Sequence, residues 1–597
     1  MGIMFNKALL LCGLALPVLA VQPAAPAEGL PPASQWVPED AALVFEALEP
    51  TALLEPLLSP DLAKAFTALS GNQESNPKLR ELQGIVAYLE SQLGTDWRTG
   101  LRGLLGGGLA FAVEPGGGTL LSVDARDEKM LQQLEEIVRH FAASQAATQG
   151  LPEQVASRQY RGATAWTLLT NEAHTILGNR LLLANRPAML DRALDLRAEL
   201  GGKGIAFAPF YQAARQAVGK DALAMLFLNM RMLRLAPGVK EALAEDANPL
   251  GTLLLAETKE ALRQANWLAL GIYLEEAKLV LKTFTDGQAQ PGSKALAFAN
   301  PGNADEGLLP PLEVPGGIAC LSLHRDLHGF YAAKDELFPE RTSGLVFFEN
   351  MMGIFFSGIE LTEGVLGETR PDIRVVVAAQ RYDAAIGTPA TQMPAFAAVL
   401  RLRHPQAFGE TVEEAWQKAV GLANFTRGQQ AQPGLIIDRA SHSGVKYTLS
   451  YYRPPTDKDK TAIESRYNYR PSLARPGDYL IVSSTDGLAE ELIDAVQKEG
   501  ASRPKPSQAA HSSLEIDGAQ LHAILVANRE QFIRKNMVDK GNTREQAETE
   551  TGFFLTALGC VDRAVLTLAR ENAHPQATLE LKLRTPGGKP EKTTAMK

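Results

Sequence analysis

Residues 37–50 read VPEDAALVFEALEP, and residues 314–327 read VPGGIACLSLHRDL. In each, a Val-Pro pair leads a short apolar run that predicts a strand feeding a helix. The offset of 277 between them returns along the chain in the same order and with small drift. Leu120–Val123, followed by a charged helical stretch, matches Val399–Leu402 and its helix at an offset of 279. Leu181–Leu183 matches Leu480–Val482 at 299, and LVLKTFTDG at 279–287 meets LELKLRTPG at 579–587 at 300. The drift accumulates between elements, as two copies of one core require. The chain therefore reads as two tandem homologous units.

Working outward from that repeat, the chain divides into six segments. Residues 1–20 form a signal peptide and 21–35 a Pro- and Ala-rich flexible lead-in. The first repeat unit is 36–286, a linker follows at 287–312, the second repeat unit is 313–586, and 587–597 is a disordered tail. The linker assignment rests on five prolines and little amphipathic pattern between residues 286 and 316.

Within each copy the hydrophobic period alternates between 2 and 3.6. Gly108–Val113 and Thr119–Asp124 flank Pro115-Gly116-Gly117-Gly118, a turn suited to a hairpin. Ala163–Leu169, His174–Leu177 and Arg180–Ala184 follow on links too short for parallel crossovers. The fold class is α+β, with each unit a mainly antiparallel sheet packed with helices.

Lys7, the apolar run Ala8–Leu16, Pro17 and the small residues of Val18-Leu19-Ala20 form a secretory signal pattern. The expected location is exported, periplasmic or secreted, with no transmembrane span in the mature chain because the apolar run is shorter than a bilayer requires. The chain carries 59 basic and 68 acidic side chains, and loss of Lys7 with the leader takes the net charge from −9 to −10. That balance argues against nucleic acid as a partner. Only Cys320 and Cys560 remain after the leader. In an exported protein they could form a disulfide or stay as two buried thiols.

The second copy gains about 20 residues between Val445–Tyr451 and Tyr479–Val482. The added RPPTDKDKTAIESRYNYRPSLARPG brings together Tyr452, Arg453, Arg466, Tyr467, Tyr469, Arg470 and Arg475. Arg and Tyr pair apolar bodies with directed hydrogen bonding and are over-represented at binding hot spots. These seven are the candidate ligand- or partner-binding residues, against the plain alternative of a solvated hairpin extension. Deletion of 454–474 is expected to spare the fold.

His324 and His328 have the spacing of two metal ligands on one helix, but no further ligands lie nearby and Asp326 suits a helix N-cap. The chain contains no GxSxG, no GK[ST] phosphate loop, no HExxH and no paired CxxC, so no catalytic residue is nominated and no cofactor is implied. Gly106-Gly107-Gly108 precedes a strand, the wrong order for a dinucleotide site. GLVFFENMMGIFFSG, the most apolar mature stretch, reads as a buried helix, with an apolar groove or membrane contact as the alternative.

LLGGGLAFAV, YRGATAWTLL and NRLLLANRPAMLDRALD together resemble a family of exported bacterial proteins, frequent in planctomycete-like phyla, known only as a domain of unknown function. The second copy departs from that pattern: the glycine-rich run blurs around Gly358–Gly367, and Tyr-Arg-Gly becomes Ser443-Gly444. The resemblance transfers no catalytic residues. The expected function is an exported, non-enzymatic protein that binds a ligand, envelope component or partner protein. The alternatives are an envelope-directed hydrolase with a site between the units, or an apolar ligand carrier.

Overall fold

The computed structural model describes residues 31–57, 77–150, 154–168, 171–199, 203–244, 248–276, 278–290, 298–299, 306–338, 342–455 and 463–584. The signal peptide, most of the lead-in and the tail read from the sequence lie outside these. Two compact units are present. Of the described residues, those within 31–244 and 262–288 make the first, and those within 248–261 and 289–584 the second.

In the first unit the strands are β1 Leu43–Ala47, β2 Gly108–Val113, β3 Thr119–Asp124, β4 Ala156–Tyr160, β5 Ala163–Thr167, β6 Ala173–Leu177, β7 Arg180–Ala184, β8 Ala224–Asn229, β9 Trp267–Glu275 and β10 Lys278–Thr285. Pairing is antiparallel throughout, in the order β10-β9-β8-β1-β2-β3-β7-β6-β5-β4. The second unit contains β11 Gly317–His324, β12 Thr369–Ala378, β13 Ala395–Leu402, β14 Ile436–His442, β15 Val445–Tyr451, β16 Ser472–Ala474, β17 Tyr479–Ser483, β18 Ala510–Asp517, β19 Val561–Glu571 and β20 His574–Leu583. Its antiparallel order is β20-β19-β18-β11-β12-β13-β17-β16-β15-β14. Position for position, the order matches the first.

Local chemistry explains the joints. A Cβ on Gly107 would stand 2.4 Å from the Asp124 carbonyl oxygen, so the glycine run lets the chain pass close to β3 as it enters β2. Arg161 and Gly162 both have positive φ between β4 and β5, as do Ser443 and Gly444 between β14 and β15. Two consecutive left-handed residues make the tight turn whose twist suits a hairpin. The change from Tyr-Arg-Gly to Ser-Gly therefore leaves the backbone turn unaltered.

After β7 and after β17 the chain turns into helices Pro187–Ala198 and Asp486–Ser502. Leu190 and Leu194 of the first, and Leu492 and Ile493 of the second, are fully buried in their units' cores. Each such side chain contributes roughly 1.5–3 kcal/mol by leaving water.

Parts of the segment read from the sequence as a linker are packed. Phe298 is buried against Phe330 and Phe338, and Leu312 belongs to a core of the second unit, because these apolar side chains bury where a spacer would stay polar. The end of the lead-in is also fixed: Ser34 is buried and donates to Glu46 at 3.1 Å, while Arg180 lies over the Trp36 ring at 4.4 Å.

Candidate functional site

The segment between β15 and β16 in the second unit spans 20 residues, against five between β5 and β6 in the first. Its second half is structural. After a short 3-10 turn at Ser465–Asn468, the Asn468 side chain is completely buried. Asn468 Oδ1 accepts from the Tyr382 hydroxyl at 2.8 Å and the Met393 amide at 3.0 Å, and Nδ2 donates to the Thr391 and Ser465 carbonyls at 2.9 Å each. Gln380 donates to its main-chain oxygen at 2.9 Å. β16 then pairs with both β15 and β17. Deletion of 454–474 would remove a sheet strand, so the expectation that it spares the fold is corrected. Asn468→Ala is expected to cost about 2–4 kcal/mol in urea unfolding, since it strands several buried partners; a cost below about 0.5 kcal/mol would show that this lock is not structural.

Against that fixed base, four of the seven candidates gather. The Tyr452 and Tyr467 rings meet edge-on with centroids 6.4 Å apart. Arg466 lies 5.7 Å from the Tyr452 centroid and 5.1 Å from that of Tyr467. The Tyr467 hydroxyl donates to the Arg453 carbonyl at 3.0 Å, and the exposed Arg453 side chain has no partner among the described residues. The other three diverge. Arg470 turns to Asp486 at 2.8 Å, Tyr469 lies beside Tyr382, and Arg475 sits in the turn at the far end of β16, close to Gly409. Burial pushes the Tyr382 hydroxyl up to about 12.

A further member was not apparent from the insertion. Arg427, in the last turn of helix Pro405–Gln429, stacks over Tyr452 at 4.8 Å and donates from Nε to the Pro433 carbonyl at 2.7 Å. No carboxylate pairs with Arg427 among the described residues. Stacking holds the planar guanidinium in place while leaving its other donors open, and each such contact is worth about 0.5–1 kcal/mol at an exposed position. Arg466 is itself paired with Glu464 at 2.8 Å, so the cations this face leaves open to an incoming anion are Arg427, fixed by stacking, and Arg453.

The weak metal candidates do not converge. His324 ends β11, deeply buried and 4.0 Å from Asp372, whereas the following helix starts at Leu327 and His328 stands 3.0 Å from Glu363. The helical spacing assumed for the pair is broken by the strand end. Among the described residues no three His, Cys, Asp or Glu side chains are grouped to hold a metal ion.

Cys320 and Cys560 are free thiols, and burial raises the Cys320 thiol. The register sets them two strands and five residues apart, roughly 20 Å by strand geometry. A disulfide tolerates about 7 Å between Cα atoms, so this fold does not bridge them.

In the first unit a cleft of about 470 Å³ is lined by Asp40, Arg192, Asp195, Glu199, Lys203 and Phe210, among others. Its charges are largely matched internally. Arg192 pairs with Asp40 at 2.7 Å and also with Glu114, Asp195 with Arg161 at 2.7 Å, and Lys203 with Glu199 at 2.8 Å. GLVFFENMMGIFFSG forms helix Thr342–Phe355, as expected, but not a buried one: Phe347 is 71% and Ile354 67% exposed. The stretch is apolar all round, so its pattern does not tell the outer face from the face that packs through Leu345 and Met352.

With this geometry in place, comparison with known proteins adds a family label. Residues 139–308 match a family model described as protein of unknown function, DUF3352. Those residues run from the helix before β4 to the segment after β10, in line with the resemblance to a domain of unknown function. No curated protein matches. Among solved structures, crystal form I of TP0453 is similar over 45% of this chain and 84% of its own, at 9% identity and a TM-score of 0.21. Crystal form III aligns over 45% and 86%, at 8% identity and a TM-score of 0.19. These scores bring neither fold nor activity to this chain.

Proposed function

We propose that the chain is an exported, non-enzymatic binding protein built from two tandem copies of one α+β unit, 36–286 and 313–586, and that the second copy carries the binding face. The equal strand order of the two units supports the duplication. The N-terminal apolar run supports export, and no helix among the described residues is long and apolar enough to cross a membrane. The observation that carries the binding role is the Arg427–Tyr452–Arg466–Tyr467 stack, joined to the Arg453 main chain through the Tyr467 hydroxyl, with the exposed Arg453 side chain unpaired among the described residues. Among the described residues the first unit has no equivalent stack, and a five-residue link stands where the second unit has the insertion. Its ligand is an acidic envelope component or an acidic partner protein, because the available donors are cationic and directional.

The test is retention of envelope material on the immobilised chain and on Arg427→Glu/Arg453→Glu at low salt. Charge reversal should lower retention at least about tenfold, with the loss shrinking as salt is raised past about 0.5 M. Equal retention by the two proteins would refute the reading.

A further inference from the structure

β14 lies at the outer edge of the second unit's sheet and pairs only with β15 among the described strands. It is seven residues long, contains no proline, and none of its residues is buried; Ile437 is 43% exposed. Its register with β15 runs without a shift, unlike the pairings of β18 with β19 and β12 with β13. Protected edges are short, bulged, covered or broken by proline. This one has neither bulge nor proline, and no described strand covers it.

The turn fixes which backbone groups face outward. In a two-residue hairpin the residues flanking the turn, here His442 and Val445, exchange hydrogen bonds, and the pattern then alternates. Ile436, Asp438, Ala440 and His442 therefore bond to β15, while Ile437, Arg439 and Ser441 direct N–H and C=O away from it. The Arg439 amide is held instead by the neighbouring Asp438 carboxylate at 2.8 Å. The corresponding edge of the first unit is shorter, five residues in β4; both edges are tied at the turn to the following helix, through Tyr160 to Asp195 in the first unit and through His442 to Asp494 in the second.

Charge along β14 is polarised. Ile436 pairs with Tyr451, so Tyr452 and the arginines stacked on it flank that end, and Arg427 donates to Pro433 just before the strand begins. At the other end, His442 is neutralised by Asp494 at 2.8 Å. We propose that the β14 edge takes up an extended acidic peptide as an added strand, with main-chain bonds to Ile437, Arg439 and Ser441 and carboxylates on Arg427 and Arg453. This rests on the Arg–Tyr face reading and narrows it to a polypeptide partner. The Asp438 carboxylate is the built-in competitor: it occupies the Arg439 amide until the incoming strand replaces it.

Fluorescence anisotropy of the full chain with a fluorescein-labelled peptide of alternating Val and Glu, against polyglutamate of equal length, tests the proposal. Ser441→Pro removes an outward amide without taking a bond from β15, and Asp438→Ala frees the Arg439 amide. The alternating peptide should bind more tightly than polyglutamate. Ser441→Pro should weaken it at least about tenfold, Asp438→Ala should tighten it severalfold, and Arg427→Glu/Arg453→Glu should abolish it. If Ser441→Pro misfolds, Asp438→Ala carries the test, since it leaves the β14–β15 ladder intact. Loss on charge reversal with no response to either edge variant would overturn strand addition and leave the acid-binding face standing; no response to any variant would overturn both. A dimer in native mass spectra that Ser441→Pro dissolves would assign the edge to a second copy and overturn the peptide proposal.

Discussion

Arg325→Met is expected to destabilise the second unit by about 3–5 kcal/mol. Arg325 is 1% exposed and lies just past the end of β11. Nε donates to the Leu253 carbonyl at 2.7 Å; Nη1 donates to the His324 and His511 carbonyls at 2.7 and 3.0 Å. Nη2 reaches the Ser512 hydroxyl at 2.9 Å, His511 Nδ1 at 3.1 Å and the Leu254 carbonyl at 3.3 Å. No carboxylate touches it directly, so carbonyl dipoles hold the charge, with Glu257 further off. Burial pulls its pKa down to about 10, which still leaves it charged at neutral pH. Met fills the volume but abandons a set of buried acceptors, each costing about 1–3 kcal/mol when only partly rehydrated. Lys supplies one ammonium where a planar fork spans three directions, so Arg325→Lys should recover less than half of the loss. Urea unfolding would decide this. A cost below about 1 kcal/mol for Met would mean the acceptors are readily satisfied by water.

Acidification should destabilise the second unit by about 3–5 kcal/mol between roughly pH 6.5 and pH 3, through His511. Burial first, then the positive charges of Arg325 and Arg570, depress this imidazole to about 3. Glu257, on the other side, stands 3.8 Å from its Nε2 and is itself claimed by Arg570 at 2.6 Å. The folded state therefore keeps His511 neutral over a range in which the unfolded chain, with an ordinary value near 6.5, takes up a proton. Stability from this source is intact above about pH 6.5 and is lost as pH falls toward the folded value, at no more than about 1.4 kcal/mol per pH unit. His174 in the first unit, also depressed mainly by burial, acts in the same direction. Unfolding free energies of the parent and His511→Asn at several pH values below 7 should diverge in slope, the variant being flatter. Parallel slopes would assign the acid sensitivity to other groups.

The strands of both units were legible where one face is apolar and the other polar, or where a hairpin turn sits between two apolar runs. β2 and β3 fall where alternation and the Pro-Gly-Gly-Gly turn place them. β4 was not legible: ASRQY is polar along its length and exists as a strand only because the left-handed Arg161-Gly162 turn folds it onto β5. The insertion stands out in the sequence by its Arg and Tyr content, yet composition does not separate Arg453, which has no side-chain partner among the described residues, from Arg470, which pairs with Asp486. Nor does it show that Asn468 anchors the segment, since an asparagine's role depends on the four partners that the fold delivers to it. Arg427 lies outside the insertion and joins the site only through the packing of helix Pro405–Gln429 against the end of β15. Long-range placement of this kind leaves no local pattern.

A photoreactive benzoylphenylalanine at position 453, irradiated in cells that export the chain, tests whether the stacked Arg–Tyr face is where this protein meets its partner. The same residue at position 231, exposed in the first unit, serves as the reference. A discrete adduct is expected from position 453, lost when Arg427 is changed to Glu, and none from position 231. No adduct at 453, or adducts of equal yield from both positions, would contradict a binding role for this face.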